Sequence, residues 1–354
     1  MQHPNPIIEE DIKCILENAI LSRVEKSSCY LVSGASGFVA SYLIESLLRI
    51  NEVSDKTCRV IALARNEERF WKRFDHHKNN PNLDFFCRDV VDDLSDLKGL
   101  GVSHVVHAAS KASPKFYGID PVGTLKANTL GTLNLLELAT LNKACQFVFV
   151  SSAEVYGQTN EIPTSEKGFG YLDPAEVRSC YAESKRMGEN ICMSWMRQYG
   201  LSVKVVRPFH TYGPGMDLDD GRVYADFVKN ILNCEPIKLS SDGSAMRAFC
   251  YLRDAIKAIY RVIYFGCSGE VYNFGNSEQE FSIKQLACLL QKKYKERVAE
   301  VIFHKEGITN GYLPSQVDRI CPDISKIREL GWKPETSVRA GFDRTVTSYM
   351  YELG

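Results

Sequence analysis

No run of apolar residues in this chain approaches the ~18 needed to cross a bilayer, which argues against a membrane span. Nor does one charge dominate: 43 lysines and arginines stand against 44 aspartates and glutamates in 354 residues, with no block of like charge. A nucleic acid or other polyanion therefore has no electrostatic footprint to bind. The opening stretch "MQHPNPIIEEDIKCILENAIL" carries acids where a secretory leader carries bases, so export is not expected. Twelve cysteines occur without a C-x-x-C pair, which disfavours a zinc ribbon or a thioredoxin-type motif and fits reduced thiols in a cytoplasmic protein. No metal site is expected. Repeats and low-complexity linkers are also missing. With 44% hydrophobic and 25% charged residues, the chain reads as an ordinary globular protein of one large or two smaller domains.

What is present begins with "SCYAESKRMGENIC", which places Tyr181 and Lys185 four positions apart in a helical stretch, hence on one face. Upstream, the β-branched and aromatic run Phe147 to Val150 reads as a buried strand ending in the hydroxyls Ser151 and Ser152. A strand delivering a serine and a helix delivering tyrosine and lysine form a constellation for moving a hydride and a proton.

A carrier for that hydride is suggested by "CYLVSGASGFVASYLIESLL". Gly34, Gly37 and Ala40 form a G-x-x-G-x-x-A bend between a strand and an amphipathic helix, where backbone N–H groups can approach a pyrophosphate. A second strand, Val60 to Leu63, ends in Ala64 and Arg65 where NAD-binding folds usually carry an acid. That favours NADP(H), with NAD(H) possible; the alternative is an arginine at an exposed helix start. In "LDFFCRDVVD" the third strand brings Asp89 and Val90 toward the adenine position, and the fourth, "VSHVVHAAS", ends in the small Ala108 and Ala109. Strands alternating with helices predict an α/β, doubly wound parallel sheet of Rossmann type. Ile8, Ile12, Ile15, Leu16, Ala19 and Ile20 fall at helical spacing before the first strand, predicting an amphipathic helix packed on the domain or on a partner subunit.

Together these motifs make the chain resemble the extended short-chain dehydrogenase/reductase family, in the branch of NAD(P)-dependent epimerases and dehydratases that modify nucleotide sugars. The stretches "HAASKASPKFYGIDPVGTLKANTLGTLNLL", "DDGRVYADFVKNIL", "MRAFCYLRD" and "PDISKIRELGWKP" look most like UDP-glucuronate decarboxylases. The resemblance runs from about Ser28 to Pro334. It implies an N-terminal helical extension (1–27), a cofactor-binding Rossmann domain (28–206, with a later strand from about 247–275) and a smaller, mostly C-terminal sugar-nucleotide domain (207–354). It also implies a homodimer built from helices near Thr124–Leu141 and Tyr181–Tyr199. Tyr181 is then the acid/base, Lys185 holds the nicotinamide ribose and lowers the phenol's pKa, Ser152 bonds the reacting oxygen, and Glu154 is a further catalytic candidate. Ser36, Phe38, Val39, Ser110, Asn128 and Pro208 join the cofactor candidates. Ser113, Tyr117, His210, Arg222, Arg247 and Arg319 join Glu154 as substrate candidates, the arginines for the diphosphate or nucleotide and His210 as a pocket-lining residue.

Departures from the family pattern shape the expected reaction. The 4,6-dehydratase Ser/Thr-Asp-Glu is here Ser152-Ala153-Glu154, so the acid is missing, although GDP-mannose dehydratases also manage without it. The arginine that decarboxylases carry two positions before the proline of "PDI" is Ile320, with Arg319 one earlier. An apolar side chain cannot anchor a carboxylate. Combined with Arg65, these departures favour an NADPH-dependent reductase of a nucleotide-linked 4-keto-6-deoxy sugar. Epimerisation, 4,6-dehydration or decarboxylation with recycled NAD is the alternative, supported by Glu154, and a non-catalytic nucleotide-binding protein is a distant one.

Overall fold

The computed structural model describes residues 3–239, 241–303 and 317–353. A helix, α1 (Pro6–Ile15), opens on Asn5, whose side chain caps Ile7 N–H, with Pro6 in the first turn where no N–H is needed. The chain then alternates: β1 (Ser27–Ser33), α2 (Phe38–Val53), β2 (Thr57–Ala64), α3 (Glu67–Phe74), β3 (Leu83–Cys87) and β4 (His104–His107). After α4 (Pro121–Asn128) and α5 (Leu130–Leu141) come β5 (Gln146–Val150), α6 (Cys180–Tyr199) and β6 (Val203–Pro208). Among the later elements are α7 (Val223–Leu232), α8 (Leu252–Phe265), β7 (Val271–Phe274) and α9 (Val338–Leu353). The single helix expected over Thr124–Leu141 is in fact two, interrupted at Thr129, whose ψ of -72° departs from helical geometry.

The seven strands form one parallel sheet in the order β7-β6-β5-β4-β1-β2-β3. Its interior strands are apolar almost throughout because both faces are covered. One face packs under α1, α2 and α8 through residues such as Ile12, Leu47 and Ile259; the other packs under α5 and α6 through Leu135, Phe149 and Cys192. Between β3 and β4 the chain crosses back over β1, so the loops after β1 and β4 diverge from neighbouring strands and leave a crevice at their carboxyl ends. Beyond β6, short strands and α7 and α9 enclose a third core around Tyr212, Phe227, Phe249 and Phe342. Two of these strands, Met246–Ala248 and Arg319–Ile320, pair in parallel.

The extension before β1 packs on its own chain. Ile8, Ile12 and Ile15 join the core under α2 and α8. Asp11, fully buried, accepts from Tyr251 Oη at 2.6 Å and from Arg344 Nη2 at 2.8 Å, tying α1 to α9. Removing one partner of such a buried pair leaves the other charge uncompensated. Asp11→Ala is therefore expected to lower the unfolding free energy by about 3–5 kcal/mol in urea denaturation. A change below about 1 kcal/mol, the scale of an exposed ion pair, would mean that apolar packing alone holds the extension.

Candidate active site

At the bend after β1 the backbone has no room for side chains. Gly34 has φ +70°, and a Cβ there would sit 2.7 Å from Ala109 Cα and 2.9 Å from Ala108 O. The small residues at the ends of β1 and β4 are therefore one steric unit. Ser33 Oγ bridges the two strands, bonding His107 Nδ1 at 2.8 Å and accepting from Ala109 N–H at 3.2 Å. Gly37 caps α2 without any side-chain acceptor, so the first-turn N–H groups, including those of Phe38 and Val39, face the bend with Ser36 beside them. An open helix N-terminus against a glycine bend fits a dinucleotide pyrophosphate. Ser110 Oγ and Asn128 Oδ1 are buried without a hydrogen-bond partner among the described residues, polar atoms suited to a polar ligand.

Arg65 ends its strand exposed, and its Nη1 reaches Asp89 Oδ2 at 3.3 Å. The two residues expected at different parts of an adenosine thus meet. So exposed an ion pair is worth at most about 1 kcal/mol and is readily exchanged for a ligand group. Val90 lies beneath Gly131 of α5, and Pro208 ends β6.

Ser152 follows β5 and opens a short 3-10 turn, accepting from Glu154 N–H at 3.2 Å. Its side chain also lies near enough to the Tyr181 phenol to favour the ionised form. Lys185 lies one turn below Tyr181 on α6, fully buried, with Nζ donating to Val150 O at 2.7 Å and standing 5.9 Å from the tyrosine ring centre. Asn128 Nδ2 donates to Ser184 Oγ, which in turn donates to Tyr181 O, so α4 steadies the helix turn that carries the phenol. The expected lowering of the phenol's pKa is reversed here. Burial drives Tyr181 up to about 12, against Ser152, which favours its ionised form. The same burial pulls Lys185 down to about 7, partly offset by Glu189. Desolvation disfavours both charges more than their neighbours favour them.

Substrate candidates gather on the other side. Tyr117 stacks on Tyr181, ring centres 5.1 Å apart at 14°, with its hydroxyl donating to Ala112 O. Arg178 lies over Tyr117 at 5.1 Å and pairs with Glu154 Oε2 at 3.2 Å. The sequence marks Arg178 only by its place three residues before Tyr181, and the structure puts it in the 3-10 turn that leads into α6. Glu154 and Arg178 line a cleft together with Phe209, Arg319 and Ile320. Ser113 bonds Asp220 O, and Asp220 grips Arg222 through Nε at 2.6 Å. Burial pushes His210 well below the usual imidazole range, aided by Arg247 and Arg222, and its Nδ1 is buried without a partner among the described residues, at φ +27°. Arg247 donates to Asp318 O and Val317 O, and Arg319 reaches out to Glu280 at 2.8 Å. Behind the centre, Glu189 accepts from Ser151 Oγ at 2.5 Å and from Arg207 at 2.6 Å, fixing the end of β5.

Residues 30–275 match the NAD dependent epimerase/dehydratase family. UDP-glucuronic acid decarboxylase 6 of Arabidopsis thaliana is 32% identical, covering 92% of this chain and 89% of the relative. UDP-glucuronic acid decarboxylase 1 of Xenopus tropicalis is 34% identical, covering 91% and 72%. Among solved structures, dTDP-glucose 4,6-dehydratase of Streptomyces venezuelae, with NAD bound, superposes with a TM-score of 0.75 at 27% identity, covering 91% of this chain and 97% of that one. With the glycine cradle, the Ser152–Tyr181–Lys185 centre and these relatives in agreement, the chain belongs to the NAD dependent epimerase/dehydratase family and is an enzyme of its nucleotide-sugar-modifying, extended short-chain dehydrogenase/reductase branch.

Proposed function

We propose that the enzyme acts at C4 of a nucleotide-diphosphate sugar and decarboxylates a UDP-hexuronic acid. The observation that carries this reading is the Glu154–Arg178 pair beside the Tyr181 phenol. A plain 4-keto reductase has no use for either group. The position where an arginine was expected is Ile320, and Arg178 lines the same cleft, so a cation for a sugar carboxylate comes from α6's approach instead. Both partners of the pair are partly exposed, so exchanging Glu154 for a substrate carboxylate costs Arg178 about 1 kcal/mol or less.

A nicotinamide dinucleotide, which the Gly34–Val39 bend, Ala108 to Ser110 and Lys185 would hold, would supply reversible oxidation and re-reduction of the sugar. Tyr181 takes the C4 hydroxyl proton and later returns it, with Ser152 donating to the same oxygen. Lys185, unfavourably buried as a cation, gains a partner when the phenol ionises. The carboxylate at C5, now β to a ketone, leaves as carbon dioxide: the C5–C6 bond breaks, its electron pair passes toward O4, and on collapse of the enolate C5 takes one proton from solvent, which Glu154 is placed to relay. Tyr117, stacked on Tyr181, keeps the phenol ring in plane throughout.

A second reading, NADPH-dependent reduction of a 4-keto sugar nucleotide, is favoured by one feature: Arg65 at the end of β2, suited to a 2′-phosphate and loosely held by Asp89. Both readings sit in a reducing compartment such as the cytoplasm, in keeping with twelve free thiols and with the lack, among the described residues, of a helix long and apolar enough to cross a membrane. Exposed Leu125, Leu130 and Leu133 on α4 and α5, with Met187 and Tyr199 on α6, support a homodimer through these helices.

Supplied with UDP-glucuronate and no reductant, the enzyme is expected to release carbon dioxide. Tyr181→Phe should slow turnover ~10²–10⁴-fold, and Glu154→Gln and Arg178→Ala should nearly abolish it. Turnover confined to 4-keto sugar nucleotides, consuming NADPH mole for mole, would hand the function to the second reading. For the phenol, the difference in ultraviolet titration between the parent and Tyr181→Phe should show no tyrosinate below the ~10 of a free phenol in cofactor-free protein. A signal at neutral pH would mean that Lys185 outweighs burial without help. Sedimentation equilibrium is expected to give a dimer, and Leu133→Asp with Met187→Asp a monomer; a monomeric parent across micromolar concentrations would refute the interface.

A further inference from the structure

On the face of the sheet away from the α5 and α6 layer, three histidines surround one buried carboxylate. Glu45 lies on α2, two turns below the Gly37 cap that opens the phosphate cradle. Its side chain is 6% exposed, and among the described residues no lysine or arginine pairs with it. His76 and His77, in the turn after α3, and His3, before α1, are its neighbours. A buried anion with no lysine or arginine beside it is costly, so the charge that offsets Glu45 comes from the histidines around it or from an ion that they bind.

The geometry divides the histidines by role. Asn80 stands 3.1 Å from His77 Nδ1, and His77 Nε2 stands 2.9 Å from Glu45 Oε2, an arrangement that holds the carboxylate from behind. His76 differs. Its Nε2 lies 3.0 Å from Glu45 Oε1, yet neither atom makes an aligned hydrogen bond, and both are buried. Two polar atoms that approach without bonding each other can converge on a common third point. His3 closes the group: its ring stands edge-on to His76 at 4.8 Å, and ligand atoms of His3, Glu45 and His76 all lie within 4.8 Å of one another. The segment bearing it is pinned, His3 N–H donating to Glu9 Oε2 at 2.9 Å and Asn5 Nδ2 to Ser348 O at 2.9 Å. Asn5 N–H also donates to His3 Nδ1 at 3.0 Å, so the Glu45–His76 pair is preformed and His3 is the arm that adjusts its hydrogen bonding as it closes.

We propose that His3, Glu45 and His76 bind a divalent first-row cation of zinc type, with His77 as the positioning residue that orients the carboxylate. Two imidazoles and a carboxylate suit such an ion, and ligand atoms 3.0–4.8 Å apart need only modest closure to reach metal–ligand bonds of about 2.0–2.2 Å. The site is structural: it clips the segment before α1 onto the helix whose N-terminus faces the crevice. No cysteine takes part, so cysteine spacing is silent about it.

The test uses the full chain, stripped with a chelator and titrated with zinc in competition with a chromophoric chelator. One equivalent should bind, and the melting temperature should rise with zinc. Twelve free thiols could also capture metal, so the cobalt(II) form is read spectroscopically; nitrogen and oxygen ligation gives d–d bands without the intense thiolate charge-transfer band. His76→Gln should abolish stoichiometric binding, and His77→Gln should weaken it about 10–100-fold, as expected for a group that orients a ligand. His3→Gln, in a segment outside the cores, leaves the fold intact and should weaken binding roughly tenfold or more. The proposal is overturned by absent saturable zinc binding, by a thiolate band in the cobalt form, or by unchanged affinity in His3→Gln and His76→Gln.

Discussion

Everything at the active centre depends on how closely the backbone at the end of β1 approaches the end of β4. Gly34 leaves no space for a Cβ against Ala108 and Ala109, and its positive φ turns the chain sharply into α2. That approach opens the crevice at the switch in strand order. It also aims the uncapped N-terminus of α2 into it and sets how far the β5 and α6 residues stand from anything bound there. A methyl group at Gly34 would displace backbone on both sides, and the bend and the Ser152, Tyr181 and Lys185 side chains would lose their common frame.

Around this frame the charged groups fall into two classes, distinguished by burial. Glu189 and Asp11 are carboxylates shielded from water, paired with Arg207 and Arg344 and tied into further hydrogen bonds; they fix the end of β5 and the seat of α1. Glu154 with Arg178, and Arg65 with Asp89, lie at the crevice edge, where solvent reduces their worth to about 1 kcal/mol or less. Strong pairs hold the scaffold, and weak pairs wait where ligand charges would arrive. The Tyr181–Lys185 arrangement follows the same physics. Burial keeps the phenol protonated and makes the ammonium uncomfortable, so the centre is tensioned toward a bound group that relieves both.

The order of strands, the glycine bend and the helix bearing Tyr181 and Lys185 were legible in the sequence because each is a local pattern: an apolar β-branched run, a strand–glycine–helix junction, a four-residue spacing. The break at Thr129 was passed over because the leucines of this stretch keep a helical rhythm, although Asn128, Thr129, Gly131 and Thr132 are weak helix formers clustered at the interruption. The N-terminal helix could be foreseen from its isoleucines, but its site could not. An apolar stripe says that it must be covered, and only contacts with α2, α8 and α9 say by what.

By itself the sequence determined the fold class, the glycine bend between β1 and α2 and the placing of Tyr181 and Lys185 on one helix face, for these need only short-range order along the chain. Tertiary structure decided the rest. It paired Arg178 with Glu154 across 24 residues, joined Arg65 to Asp89 from separate strands, and gathered His3, Glu45 and His76 from three segments. It also turned the phenol's ionisation opposite to the expected direction. The reason is common to all four: charge–charge geometry and desolvation depend on distance through space and on exclusion of water, and neither quantity is written in residue spacing.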